Sequence, residues 1–267
     1  MKLSAVPSSV KLNLYSVNMA AYNAAMSKKP NDGKPLARGT PGKAALARKG
    51  DASKPRTKAS GSASPYHHGA LRDALLEAAE RVLERDGLSG LTLRAVAREA
   101  GVSHAAPTHH FGDLTGLVSE LAAIGFRQFN AAMVAAVVAA GNSPMEKALA
   151  RAKAYVAYAQ SHPGMYGVMF RTERLDMSRP SLCEAANASF AGLAGAIGAS
   201  RHEQIHEEAL SLEQAAAIAR AWSLVHGFTM LLLDDRLSDI LRRLPQGTGV
   251  ETLLEAMLKS FVIRPGP

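Results

Sequence analysis

The 267-residue sequence predicts an all-α protein, on three observations. Alanine and leucine abound while aromatic residues make up only 5%, a balance that favours helices over strands. From Leu71 onward, apolar residues recur at spacings of three and four, the period of one helix face. Side chains suited to capping helix starts stand ahead of such stretches, at Thr92, Ser103, Ser143 and Ser211.

Residues 1–64 stand apart from this pattern. They hold 12 Lys and Arg against Asp32 and Asp51, while the other 203 residues carry 19 basic and 21 acidic groups, so the surplus behind the net charge of +8 belongs to this stretch. Its Lys, Gly, Pro, Ser and Ala bury too little apolar surface to offset the entropy of ordering, which predicts a disordered basic tail. Such an arm can track phosphates by displacing counterions; a solvated tail, or a native start at Met19 or Met26, is the plainer alternative. The opening lacks a secretory apolar core, and with its first arginine at Arg38 it fits a transit peptide poorly. The longest run of small apolar residues, from Ala131 to Gly141, falls well short of the roughly 18 needed to span a bilayer, so no membrane partner is expected. The single cysteine, Cys183, closes no intramolecular disulfide, and a reduced cytoplasm is the default location.

The first helix places Leu71, Leu75, Ala78 and Val82 on one stripe and runs to about Asp86, where Gly87 supplies a stop. Thr92 then caps a short second helix whose buried face is Leu93, Val96, Ala97 and Ala100. Gly101 ends it, and Gly101-Val102-Ser103 forms a turn in which Ser103 is expected to cap a third helix. Two short helices joined through about three residues containing glycine have helix-turn-helix grammar.

The stretch "GVSHAAPTHHF", 101 to 111, holds three of the nine histidines. On a helical wheel Pro107 and Phe111 share the inward face with Ser103 and His110 at its edge, whereas His104, Ala105, Thr108 and His109 point outward. With Ser103 as cap, Pro107 is the fourth helical residue, where a missing N–H costs little. An outward face this small and polar suits the major groove, about 12 Å wide. Metal binding is disfavoured, because no histidine pair has the i, i+4 spacing and no Cys, Asp or Glu lies among them. No G-x-S-x-G elbow occurs, so a nucleophilic triad has no support.

A fourth helix is expected from about Asp113 through Phe129 toward Ala140. "SPME" at 143–146 is a capping box with proline at the first helical position, opening a helix to about Gln160, and "SLEQ" at 211–214 repeats the arrangement. The helix that follows is apolar nearly all round, with Ile218, Trp222 and Val225 on one stripe and Leu224, Phe228 and Leu231 on another, which predicts burial on both sides. A final helix offers Leu254, Met257, Leu258 and Phe261. Met165, Tyr166, Met169 and Phe170 are adaptable and aromatic side chains suited to an apolar pocket with one polar handle. Trp222 and His226 lie one turn apart on one face, suited to a ligand or a proton-sensitive contact. Ordinary core packing is the alternative for each of these six.

Residues 70 to 118, "ALRDALLEAAERVLERDGLSGLTLRAVAREAGVSHAAPTHHFGDLTGLV", resemble the DNA-binding domain of TetR/AcrR-type transcriptional regulators. "AWSLVHG", 221 to 227, resembles the signature of the Trp-His-Gly type of carboxy-terminal domain in that family. The resemblance implies a three-helix helix-turn-helix DNA-binding domain at 65–112, then a larger helical-bundle domain at 113–267 for effector binding and dimerisation. It implies a homodimer, joined by the helix after Ser211 and the final helix of each subunit as a four-helix interface, on double-stranded operator DNA contacted by Thr92, Ser103, His104, Ala105, Thr108, His109 and His110. Met165, Tyr166, Met169, Phe170, Trp222 and His226 together point to a small apolar or amphipathic effector, and the mechanism expected is release of a repressor when that effector binds. No cofactor and no enzymatic activity are expected. Two positions depart from the family pattern: Thr108 stands where a tyrosine is usual, and Leu114 where a lysine often opens the fourth helix. Both usual residues contact phosphates, so the basic tail is a candidate substitute. The departures also leave open an alternative, a ligand-binding or interaction module whose reader has weakened or lost operator affinity. An enzyme using His226 with Asp234 or Asp235 is disfavoured, since eight or nine residues along a helix separate these groups by roughly 12 Å or more.

Overall fold

The computed structural model describes residues 65–170, 173 and 175–260, with side chains from Ala70 onward. The basic tail and Phe261 lie outside the described residues. Ten helices and no strand make up the described chain: α1 (Pro65–Gly90), α2 (Leu93–Glu99), α3 (Ala105–Phe111), α4 (Leu114–Ala139), α5 (Pro144–Ser161), α6 (Pro163–Phe170), α7 (Pro180–Arg201), α8 (Leu212–Leu233), α9 (Ser238–Leu241) and α10 (Val250–Ser260).

Three expected caps form. Thr92 Oγ1 accepts from the Ala95 amide at 3.1 Å, and Ser143–Glu146 and Ser211–Gln214 each close both halves of a capping box. Asp113 caps α4 through the Gly116 amide at 2.8 Å. The helical path of α1 breaks at Gly87, whose φ of 68° and ψ of −174° leave the helical region where the stop was expected.

The fourth expected cap, Ser103, does not form. His104 stands at the N-cap position of α3, without a side-chain cap bond. The reason is Pro107. In an α-helix the Ser103 carbonyl accepts from the amide four residues on, but proline has none, so it takes the Ala106 amide at 3.0 Å instead. The first turn tightens and the helix begins one residue late, leaving Ser103 exposed rather than at the edge of the inner face.

α1, α2 and α3 pack on one another around Leu75, Ala78, Val82, Leu91, Val96 and Phe111, all buried. The start of α4 closes this unit, and the rest of α4 packs on α5, α6 and α7, so one helix serves both cores. α8 packs on α5 and α7, and α10 on α5. Phe228 and Val225 of α8 join Val156, Leu237 and Leu254 in one apolar cluster rather than on separate stripes.

Among the described residues α8 is not buried on both sides. Ile218 and Phe228 are buried and Trp222, Leu224 and Val225 half-buried, but Leu231 is 44% and Leu212 81% exposed. α5, α7 and α10 cover one side only. As whole helices α4 and α8, 26 and 22 residues long, are long and apolar enough to cross a membrane, although no single run of small apolar residues is. α4 uses that character internally: it buries Leu117, Val118, Leu121, Phe126 and Phe129 together with an ion-paired Glu120.

Candidate nucleic-acid interface and effector site

α3 has two chemically distinct faces. Pro107 and Phe111 are buried, and the Arg72 guanidinium of α1 lies 5.7 Å from the centre of the Phe111 ring. Ser103, His104, Ala105, Thr108 and His109 are exposed, and His110 is half-buried with its ring 5.4 Å from His109 and 6.2 Å from Phe111. The wheel therefore assigned all four outward residues to the face they occupy. Gly101 makes the turn possible: its φ of 67° lets the Val102 amide fold back to the Ala97 carbonyl at 3.0 Å, a conformation L side chains rarely adopt. Thr92 is exposed at the start of α2.

Exposed ion pairs join α1 to α2 beside this face. Glu99 of α2 receives Arg81 at 3.0 Å and Arg85 at 2.9 Å, both from α1, and these bonds, Arg85 first, hold its carboxyl below the ordinary range. Arg94 and Arg98, four apart on α2, are exposed and carry no ion pair among the described residues. They share a helix face with each other and stand free to meet an anion. Sequence reasoning passed over both, although their i, i+4 spacing was visible.

The second site lies between α5, α6 and α8. Tyr155 and Tyr166 each place a hydroxyl 2.8 Å from Nδ1 of His226, and the two hydroxyls are 3.2 Å apart. Three polar atoms thus form a closed triangle inside an aromatic shell. Phe170 lies 5.3 Å from the His226 ring, Trp222 6.1 Å, and Phe129 4.9 Å from Tyr155. Of the six expected pocket residues, Tyr166, Phe170, Trp222 and His226 come together here. Met165 and Met169 turn instead toward α4, where a Cβ on Gly125 would sit 2.7 Å from each. Tyr155 was missed; its signal was a polar tip on the apolar stripe Ala152, Val156 and Ala159.

Two further groups mark the surroundings of this shell. Burial pushes the Tyr158 phenol well above its ordinary range, and its ring stacks on His162 at 4.7 Å. Arg151, one turn before Tyr155 on α5, is half-buried with its guanidinium against Gly192 of α7, and burial alone lowers its basicity.

Residues 75–121 match the family of bacterial regulatory proteins named for tetR, and residues 148–261 match the tetracyclin repressor-like C-terminal domain. The two matches span more than half of the chain. The chain belongs to the TetR family. A solved structure of a protein of unknown function from Rhodococcus sp. RHA1 is 32% identical to this TetR-family chain, covers 74% of it and 96% of its own length, and superposes with a TM-score of 0.59. The solved structure of SCO4313 is 22% identical over 74% of this chain and 98% of its own, with a TM-score of 0.57. FadR from Bacillus subtilis, solved with stearoyl-CoA, is 16% identical over 70% and 95%, with a TM-score of 0.51. These last two share the fold. No curated protein matches the chain. As a TetR-family regulator it pairs a helix-turn-helix DNA-binding domain with a helical ligand-binding domain.

Proposed function

We propose that this TetR-family chain is a ligand-released repressor acting as a homodimer on a near-palindromic operator. One observation carries the reading: α3 is fixed to its domain by Pro107 and Phe111 while Ser103, His104, Ala105, Thr108 and His109 stand exposed on a turn-linked helix. Small residues let the helix backbone enter the groove, and the histidines and hydroxyls supply donors and acceptors for base edges. Thr92 and the unpaired Arg94 and Arg98 are placed to take phosphates, which set register without reading sequence. His110, half-buried, supports the helix more than it faces the groove.

The open side of α8, with Leu231 exposed and Leu224 half-buried, supports a second copy as its cover, and a two-fold pair sets two recognition helices about 34 to 36 Å apart. The shell around Tyr155, Tyr166 and His226 favours a small apolar or amphipathic effector, with Trp222 and Phe170 as aromatic walls and the half-buried Arg151 suited to an acidic head. Release follows if the effector prefers a spacing that mismatches the grooves, since a ligand moves an equilibrium only through differential affinity.

The second reading, a module with a weakened DNA reader, draws on Thr108 and the half-buried Leu114, both without the phosphate-gripping groups usual in the family. Selection of duplexes from a random-sequence pool by the full chain separates the two. A repressor enriches a near-palindrome and protects it in a footprint at low salt; enrichment of nothing establishes the second reading. Repeating the titration against salt after removal of residues 1–64 tests the tail: a shallower slope assigns it phosphate contacts, and an unchanged slope removes it from the interface.

A further inference from the structure

We infer that Arg179 is a positioning residue for DNA binding: it ties the effector-domain helix α7 to the last carbonyl of the recognition helix α3. Its own backbone is fixed at the N-cap of α7, where its carbonyl accepts from Cys183 at 3.0 Å and Pro180 follows at the first helical position. From there the side chain crosses to the reader. Nη2 donates to the Phe111 carbonyl at 3.1 Å, Nη1 lies 3.7 Å from Glu120 Oε1 on α4, and Nε lies 3.5 Å from the Asp176 carboxylate without an aligned hydrogen bond.

Glu120 makes this an organised junction rather than a surface pair. Its side chain is 11% exposed, and it receives Arg72 of α1 at 2.6 Å and the Ser181 hydroxyl of α7 at 3.0 Å. Phe111 is therefore held twice, its ring beneath Arg72 and its carbonyl by Arg179, with both cations facing one buried carboxylate. Ser119 adds a backbone tie, accepting from the Asp176 amide at 2.9 Å while donating to the Thr115 carbonyl at 2.7 Å. The carbonyls ending a helix have no intrahelical partner and attract a cation, and only a planar fork of donors reaches acceptors on two other elements at once.

The consequence rests on the repressor reading. α7 packs on α4 and α8, so an effector that shifts α7 by an ångström or two carries Nη2 out of hydrogen-bond range of Phe111. The end of α3 then loses its external donor while Glu120 keeps Arg72. On this inference the helix that reads DNA is held only while α7 keeps Arg179 within reach of Phe111.

The test is Arg179→Lys in the full chain, which keeps a cation near Glu120 and loses the fork. Expected are faster backbone hydrogen exchange over residues 103–113, unchanged exchange over α5 and α8, and about tenfold weaker binding to the duplex enriched by the unsubstituted chain, the loss of one charge-assisted hydrogen bond. Binding to a scrambled duplex is expected to stay the same. Unchanged exchange over 103–113 overturns the inference, as does exchange that quickens equally throughout, the mark of a merely structural role. Should the unsubstituted chain enrich no duplex, the repressor reading fails while the exchange comparison still decides whether Arg179 holds α3. Should Arg179→Lys fail to fold, Glu120→Gln with Arg179 retained supplies the same comparison: α3 exchange stays slow if the Phe111 bond is what matters, and quickens if the carboxylate alone does, which overturns the role of Arg179.

Discussion

Gly116 and Arg179 meet at a point where no other side chain fits: a Cβ on Gly116 would lie 2.5 Å from Arg179 Nη2 and overlap the Phe111 carbonyl oxygen. The nearest obstacle is backbone, which cannot swing aside as a flexible side-chain tip does. Gly116→Ala is expected to destabilise the chain by about 1 to 3 kcal/mol, the range for overpacking a closed site. Gly195, exposed in the middle of α7 with nothing within 4 Å of a Cβ, is the control. There the same change is expected to stabilise by about 0.5 to 1 kcal/mol, because alanine is the better helix former. Urea unfolding midpoints of the two variants should move in opposite directions.

The triangle of Tyr155, Tyr166 and His226 makes a graded prediction. Nδ1 of a neutral imidazole carries either a lone pair, which accepts from the phenols, or a proton, which it donates to them; in either tautomer one nitrogen serves both hydroxyls, so a single hydroxyl is dispensable and the imidazole is not. Tyr166→Phe retains the ring against Phe170, 4.8 Å away, and should cost about 1 kcal/mol, one neutral hydrogen bond. His226→Leu strips both phenols of their nitrogen and should cost about 2 to 3 kcal/mol, the penalty for buried polar groups left short of partners. Equal losses in denaturant titrations would argue that packing, not the triangle, is what these side chains supply.

Caps and faces were legible in the sequence because their physics is local. A Thr92 hydroxyl reaches the amide three residues on whatever the rest of the chain does, and α3 turns Thr108 outward by its period alone. Ser103 misled because its cap depends on an amide pattern that Pro107 interrupts. The open flank of α8 was legible only in part: an all-round apolar sequence says that both sides want cover, and it took the family resemblance to suggest a second subunit as the source. Arg179 and Phe111 are 68 residues apart, and Tyr155 and His226 71 apart, so no periodicity links them. α4, running through both cores, brings the start of α7 to the end of α3, and the packing of α8 on α5 brings His226 to Tyr155.

Strong acid should destabilise the chain. The Glu99 carboxyl is held below its ordinary range by Arg85 and Arg81, that of Asp176 by the Ser178 hydroxyl and amide, and that of Glu146 by its capping bonds to Ser143. A carboxylate whose folded value is depressed adds stability above its unfolded value, near pH 4, and that stability is lost as pH falls through the folded value. Glu80 runs the other way, since burial raises its value, but it stands against five, because Glu213 and Glu255 are held low as well. Melting temperature should therefore drop as pH falls below about 4, the unfolded carboxylate value. Glu99→Gln should lower it at neutral pH and flatten the acid slope, and an unaltered slope would remove the α1–α2 ion pairs from the account.

The phosphate grip can be rebuilt one residue at a time. Thr108 is exposed on α3 and Leu114 half-buried at the start of α4, so both positions accept a longer side chain that reaches outward. Thr108→Tyr adds a neutral donor, and about 1 kcal/mol for one hydrogen bond corresponds to roughly fivefold tighter binding of the enriched duplex with no change in salt slope. Leu114→Lys adds a charge, which should steepen the slope by about one counterion as well as tighten binding. The contrast matters because it separates the two ways of holding DNA. If both variants gain affinity in the chain lacking residues 1–64 but neither does in the full chain, the tail already occupies those phosphates. If neither gains in either chain, α3 does not sit in the groove as its exposed face implies, and the module with a weakened reader becomes the better account.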